Sequence, residues 1–353
     1  MKKYKVIQCY TGTIGSHIGR LLIDNPKFEL VGCLVHSDDK HGQDVGELLG
    51  VDPIGVKATQ SIDEICALDA DCASYNGLGG GSDLGGDVSG FWDIGLVARL
   101  LRSGINVYSG WGGWYPEDKE LQILTEACAA GDTSVAAAGN VPGLVSDAMP
   151  IFASGFTTNI TRIHCRESDV IFHYPSAISQ AAMGIGRSME DAKKNLDPAP
   201  WEWLMRQSAK MVMDAIGAEM TDFRLLAKDL GAAPEEIHLP KSGVTIAKGH
   251  VAGVRWTYGA FSGDRCVYSC EVELPTVCGL GKGWRQSMDE PEYTVTLEGK
   301  PGIKMTFASL KGADDIQAVI DINAARAINM IPLIIEAQAG CQSMLSMPFI
   351  SAK

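Results

Sequence analysis

The sequence predicts an α/β protein in two parts: a doubly wound parallel sheet, then a second α+β domain with a mainly antiparallel sheet. Three observations carry this expectation. Strand-like and helix-like patterns alternate through about the first 150 residues, a glycine-bearing turn joins the first strand to the first helix, and short polar turns link apolar β patterns further on.

The elements follow in order. Tyr4–Cys9 reads as a strand, Ile14–Asn25 as a helix closed by Pro26, and Phe28–Val35 as a second strand, apolar throughout as parallel strands buried on both faces are. Ser61 and Glu64 form a capping-box pattern for a short helix. Asp71–Tyr75 is a third strand, Phe91–Ser103 a helix stopped by Gly104, and Ile105–Ser109 a fourth strand. A helix after Pro116 ends near Gly131, the strand Ser134–Ala138 follows, and another helix opens at about Pro142. Repeated strand–helix–strand units of this kind give a parallel sheet.

The second half changes character. Helices over Trp201–Ile216 and Thr221–Leu230 lead into strands at Val244–Ala247, Val251–Phe261, Arg265–Leu274, Tyr293–Leu297 and Ile303–Phe307. Turns such as Ser262-Gly263-Asp264 join neighbours that must run antiparallel. A long apolar helix, Asp314–Ala337, broken at Pro332, is expected to return to the first domain. The expected division is therefore 1–150 with 313–353, and 151–312 for substrate binding and dimerisation.

Composition narrows the function. At 353 residues the chain is longer than one core usually grows, and 46% hydrophobic with 21% charged residues is ordinary for a globular protein. A net charge of −13 with no basic stripe argues against nucleic acid or an anionic membrane as partner and leaves a small molecule. The start shows no signal-peptide core and no apolar run is read as a membrane span, so a cytoplasmic location is expected. Ten scattered cysteines without metal-ligand spacing read as reduced thiols, with no metal site.

The first chemical motif is Tyr10-Thr11-Gly12-Thr13-Ile14-Gly15, at the first strand–helix junction. Gly12 would let the backbone approach a pyrophosphate, Gly15 would let the helix pack closely on the sheet, and the first helical amides around Thr13 and Ile14 would face the phosphates. This is a Rossmann fingerprint whose first glycine is replaced by Tyr10. At the tip of the second strand stands His36-Ser37-Asp38-Asp39-Lys40. His36 and Ser37, with Lys40 nearby, suit the 2′-phosphate of NADP better than a carboxylate at His36 would; Asp38 and Asp39 argue for NAD, which stays the alternative. Asn76, after the third strand, and Asn140 and Pro142, in Gly139-Asn140-Val141-Pro142-Gly143, lie at strand ends where such folds bind ligands.

Tyr4–Val56, the loop Gly139–Pro150, Ala182–Ala192, His250–Asp264 and Ala327–Gly340 together resemble the dihydrodipicolinate reductase-like oxidoreductases, a group that includes 2,4-diaminopentanoate dehydrogenase and the native amine dehydrogenases. The resemblance spans nearly the whole chain. It implies a Rossmann domain completed by the C-terminal helix, a central substrate domain, a homodimer, and hydride transfer to a C=N bond. Two departures matter. The paired-histidine segment of true dihydrodipicolinate reductases is missing, and where the amine dehydrogenases would carry a carboxylate after the fourth strand this chain reads Gly110-Trp111-Gly112-Gly113-Trp114-Tyr115.

That replacement points to an apolar or aromatic substrate. Trp111, Gly112, Trp114 and Tyr115 would line the pocket mouth, with His173, Tyr174 and Trp256 closing it from the second domain. His173, Tyr174 and Tyr115 are the candidate proton donors. Reduction of a carbonyl or an activated C=C bond is the alternative reaction, and a non-catalytic dinucleotide sensor the alternative of another class.

Overall fold

In a computed structural model the chain forms two compact units, residues 3–139 with 320–352, and residues 140–319. Residues 3–77, 93–110, 115–140, 142–309 and 315–352 are described.

The first unit is built on seven strands. These are β1 (Tyr4–Cys9), β2 (Phe28–Leu34), β3 (Ala58–Thr59), β4 (Cys72–Tyr75), β5 (Asn106–Ser109), β6 (Ser134–Ala137) and a two-residue strand at Gly340–Cys341. All pair in parallel, in the order β3-β2-β1-β4-β5-β6 with Gly340–Cys341 outside β6. Val6, Ile7 and Cys9 of β1 are buried between two layers of helices, which is why the strand lacks alternation. Strand order reverses between β1 and β4. The crevice beyond the carboxyl ends of those two strands is where a sheet of this order holds its ligand.

Local rules account for the helices around it. The helix Thr13–Asp24 buries Gly15, Ile18, Gly19 and Leu22, one face at 3.6-residue spacing. Only half of the expected capping box forms: Ser61 Oγ accepts from the Glu64 amide, while the Glu64 carboxylate accepts from Thr59 Oγ1 at 2.7 Å. The helix Ile94–Arg102 is capped by Asp93, whose carboxylate accepts from the Leu96 amide at 2.9 Å.

The helix Asp315–Ile335 runs straight through Pro332 instead of breaking there. Its stretch Ile316–Ile335 is long and apolar enough to span a bilayer, contrary to the sequence reading. It nevertheless buries Ala324, Ala327, Met330, Ile331 and Ile334, and its Ile334 carbonyl accepts a hydrogen bond from Ser134 of β6.

The second unit contains one six-stranded sheet in the order β14-β13-β7-β12-β11-β8 and a small hairpin of β9 and β10. Its strands are β7 (Thr158–Ser168), β8 (Asp222–Ala232), β9 (Ile237–His238), β10 (Thr245–Ile246), β11 (Val251–Ser262), β12 (Arg265–Pro275), β13 (Tyr293–Lys300) and β14 (Ile303–Phe307). The sheet is antiparallel except where β7 lies parallel to β12. One face meets Met205, Ala209 and Val212 of the helix Ala199–Ala215 in a common core.

Two expectations fail here. Thr221–Leu230 is not a helix but strand β8; the adjacent Leu225 and Leu226 mimic helical spacing, and pairing along β11 overrides it. Strand β7 was not expected at all, because its first half is exposed and polar and its buried positions Ile163, Cys165 and Glu167 include an acid.

Candidate dinucleotide site

The turn after β1 is set by a residue that sequence rules would make glycine. Tyr10 has φ of 70°, a left-handed conformation that a bulky side chain adopts only when its surroundings impose it. Gln8 imposes it from below, its Nε2 donating to the carbonyls of Cys9 at 3.1 Å and Tyr10 at 3.0 Å. From above, the Tyr10 ring packs edge-on against Tyr75 at the end of β4, 5.9 Å between centroids.

Gly15 follows from that turn. A Cβ there would lie 2.2 Å from the Tyr10 carbonyl oxygen and 2.9 Å from Gln8 Nε2, so the helix approaches the sheet as closely as a side-chain-free residue permits. Gly15→Ala is therefore expected to destabilise the first unit by about 1–3 kcal/mol, because the clash is with backbone. Thermal unfolding checks it; an unchanged midpoint contradicts the close packing.

Gly12 is the opposite case. It caps the helix Thr13–Asp24, and a Cβ built on it meets nothing within 4 Å. The first turn holds no acidic residue and no side chain caps it, leaving its amides available to an anion. Thr11 and Lys40 meet beside it, with Lys40 Nζ donating to Thr11 Oγ1 at 2.9 Å. His36 is exposed at the tip of β2, next to Ser37, which precedes the short turn Asp38–Lys40. Gln60 Nε2 donates to the His36 carbonyl at 2.8 Å and to Asp38 Oδ1 at 3.0 Å, which ties down one of the two nearby carboxylates.

Two asparagine carbonyls are stranded. Asn76, 8% exposed after β4, donates to Ser74 Oγ at 2.8 Å while its Oδ1 has no partner. Asn140, 4% exposed, donates to the Val319 carbonyl at 2.9 Å, and its Oδ1 likewise has none. A buried amide oxygen without a donor is costly, and a ligand N–H or O–H relieves that cost. Beyond Asn140, Pro142 is buried and Gly143 takes φ of 138°. An open Gly12, uncapped helix amides and the stranded Asn76 acceptor, all in the first unit, fit a dinucleotide.

The candidate proton donors are placed less decisively. His173 and Tyr174 lie in the loop after β7, partly buried, the His173 ring 4.9 Å from Phe172. Burial pushes the Tyr174 hydroxyl above its ordinary pKa, outweighing the hydrogen bond with Ser179. It therefore stays protonated at neutral pH. Tyr115 is partly buried. Trp111, Gly112, Gly113 and Trp114 lie outside the described residues.

Trp256 requires correction. It is 0% exposed on β11, stacked obliquely on Trp201 at 5.3 Å, and so belongs to the core of its unit rather than to an open pocket wall. Its position in a strand with alternate core residues, Val254 and Tyr258, already carried that signal.

The sequence reading also missed the buried acids Glu167 and Asp169. Glu167 lies in the last paired stretch of β7 and Asp169 immediately after its end. Among the described residues no group of three or more His, Cys, Asp or Glu side chains is placed to hold a metal ion.

Comparison with known proteins decides the family. The model for the 2,4-diaminopentanoate dehydrogenase C-terminal domain matches residues 144–353, more than half the chain, and that for the N-terminus of dihydrodipicolinate reductase matches residues 6–73. The chain belongs to the 2,4-diaminopentanoate dehydrogenase family.

An amine dehydrogenase of Streptomyces virginiae is 26% identical, over 96% of this chain and 94% of its own. The structure of an amine dehydrogenase from Mycobacterium smegmatis aligns with a TM-score of 0.79 at 17% identity, covering 100% of this chain and 98% of that one. Scyllo-inositol dehydrogenase from Lactobacillus casei, solved with NAD(H) and scyllo-inositol, aligns with a TM-score of 0.53 at 11% identity, over 94% and 89% of the two chains. Fold and family agree: this member of the 2,4-diaminopentanoate dehydrogenase family is an NAD(P)-dependent oxidoreductase.

Proposed function

We propose that this family member transfers hydride between NADPH and a C=N bond of a small apolar or aromatic substrate, as an amine dehydrogenase-like enzyme. The observation that carries the cofactor half is the open, uncapped helix N-terminus at Gly12, with Lys40 held against Thr11 beside it. A cation there, and His36 standing where a ribose-binding carboxylate would be, favour the 2′-phosphate.

The bound dinucleotide supplies the hydride. The chain supplies the rest. Amides of the first helical turn bind the phosphates, and the Asn76 carbonyl is ready to accept a hydrogen bond. An iminium substrate already carries the charge that makes its carbon electrophilic, so it needs orientation more than acid catalysis. Carbonyl reduction is the second reading; a carbonyl oxygen needs a proton as hydride arrives, and Tyr174, His173 or Tyr115 would have to supply it. The second unit would serve substrate binding and pairing of two copies, in the cytoplasm.

Steady-state oxidation of NADPH and NADH with a panel of imines, ketones and enones tests this reading. Turnover of imines with a preference for NADPH is the expected outcome; cofactor binding with no turnover of any panel member would leave a dinucleotide sensor. His36→Asp is expected to move selectivity towards NADH by about tenfold, the worth of one hydrogen bond to a charged group. An unchanged ratio of kcat/KM for the two cofactors would mean that the tip of β2 does not read the 2′ position.

A further inference from the structure

The two-residue strand Gly340–Cys341 is the outer edge of the parallel sheet, and it docks on the helix Asp118–Gly131 as well as on β6. Cys341 pairs with Val135 in the sheet, and its Sγ lies 4.0 Å from Thr125 Oγ1 on that helix. Cys128 stands three residues after Thr125, so its side chain leaves the same helix face. Backbone bonds close the distance from the other side: the Thr133 amide donates to the Cys128 carbonyl at 3.0 Å, and the Gly340 amide donates to the Thr133 carbonyl at 2.9 Å. Cys128 and Cys341 therefore face one another, both within the first unit and both as free thiols.

The two thiols are unlike. Cys128 is fully buried, whereas Cys341 is partly exposed. Their mutual interaction holds the Cys128 thiol below its ordinary pKa against the effect of burial, and the same interaction raises Cys341. Cys341 is the sulfur that a solute reaches, and Cys128 is the readier thiolate behind it.

We propose that Cys128 and Cys341 are a reversible disulfide site, closed by a low-molecular-weight disulfide such as oxidised glutathione, which staples the C-terminal edge strand to the helix Asp118–Gly131. In the first exchange the Cys341 sulfur attacks the glutathione disulfide: its S–S bond breaks, a mixed disulfide forms on Cys341, and one glutathione leaves with the Cys341 proton. Cys128 then attacks Cys341 Sγ, the mixed disulfide breaks, and the second glutathione leaves with the Cys128 proton. Two protein thiols are oxidised and one glutathione disulfide is reduced to two thiols, so the site follows the thiol poise around it. In a reducing compartment it stays open. The closed bond joins positions on either side of the whole second unit, and a loop of that length constrains the unfolded chain strongly.

The test equilibrates the full chain in glutathione buffers from fully reduced to fully oxidised, blocks the remaining thiols, and maps linkages by peptide mass spectrometry without reduction. Wild type is expected to link Cys128 to Cys341 as the buffer becomes oxidising, and its thermal midpoint to rise by about 5–15 °C on linking. Cys128→Ser is expected to stop with glutathione on Cys341, Cys341→Ser to take up none at Cys128, and neither to gain the rise in midpoint. Cys128→Ala serves where the serine variant folds poorly, because it leaves no unpaired hydroxyl in the buried site. Three results overturn the proposal: glutathione held on Cys341 of the wild type with no onward link, both thiols still free in the most oxidising buffer, or a link that leaves the midpoint unchanged.

Discussion

Replacing Gly12 by valine abolishes dinucleotide binding in a protein that still folds. The side chain starts in open space, since no heavy atom lies within 4 Å of an added Cβ, and the Gly12 backbone at φ −76° is open to any residue. The space that it fills is the space over the helix N-terminus that a pyrophosphate would occupy. Loss of at least about a hundredfold in NADPH affinity, near 3 kcal/mol, is expected. Fluorescence titration reads the affinity and thermal unfolding reads the fold. Full affinity in the folded variant would move the phosphate site elsewhere. Gly15 predicts the reverse pattern, a cost in stability, so the two glycines of one short motif are separable by experiment.

The largest stability effect is expected in the second unit, at Arg285. Its side chain is buried and donates to the carbonyls of Ser168, Ser287, Met288 and Glu290, the last at 2.8 Å, while its amide donates to Glu273 Oε1 at 2.8 Å. Glu273 in turn accepts from Ser168 Oγ at 2.7 Å and from Arg166 Nη2 at 3.1 Å. Arg285→Met keeps the volume and strands these acceptors, one at the end of β7 and three in the segment before β13. A loss of about 3–5 kcal/mol follows by analogy with removing one partner of a buried ion pair. In the melting midpoint of that unit this is on the order of ten degrees. Lysine does not rescue it, because a point ammonium cannot serve four carbonyls that a planar fork reaches. A midpoint within two or three degrees of wild type would contradict this account.

Legibility in the sequence followed how local each determinant is. The strand β1 was readable to the residue and the helix after it to within one, because burial on both faces and a turn at Gly12 leave local signatures. The same holds for β11 and β12, long and joined by a tight turn. β8 and β7 were not readable, since partners remote in sequence determine both: β11 for the one, β12 and β13 for the other.

The candidate site divides in the same way. Gly12, Gly15, Thr11 and Lys40 could be named from the chain alone, and the structure puts the last two in contact. That Tyr10 would take a left-handed turn could not, because the reason is Gln8 beneath it and Tyr75 across the crevice. Trp256 was misread for a related reason: an aromatic residue looks alike in a core and in a pocket until its neighbours are known. The pairing of Asn140 with Tyr293 bridges 153 positions and leaves no local trace.

The parallel sheet takes its outermost strand from Gly340–Cys341, and the helix ending at Ile335 packs against β6 through Ser134. Gly340–Cys341, and the part of the helix from Ile320 on that holds Ile334, follow the whole of residues 140–319 in the chain. Vectorial synthesis then reverses the order of completion. The unit encoded second is contiguous and has every strand of its sheet as soon as it has left the ribosome, whereas the unit encoded first waits, with the β6 edge unpaired, until residue 341 emerges. During that interval the exposed edge is a template for misplaced strand pairing, and dinucleotide captured at Gly12 would shift the balance towards correct closure by mass action.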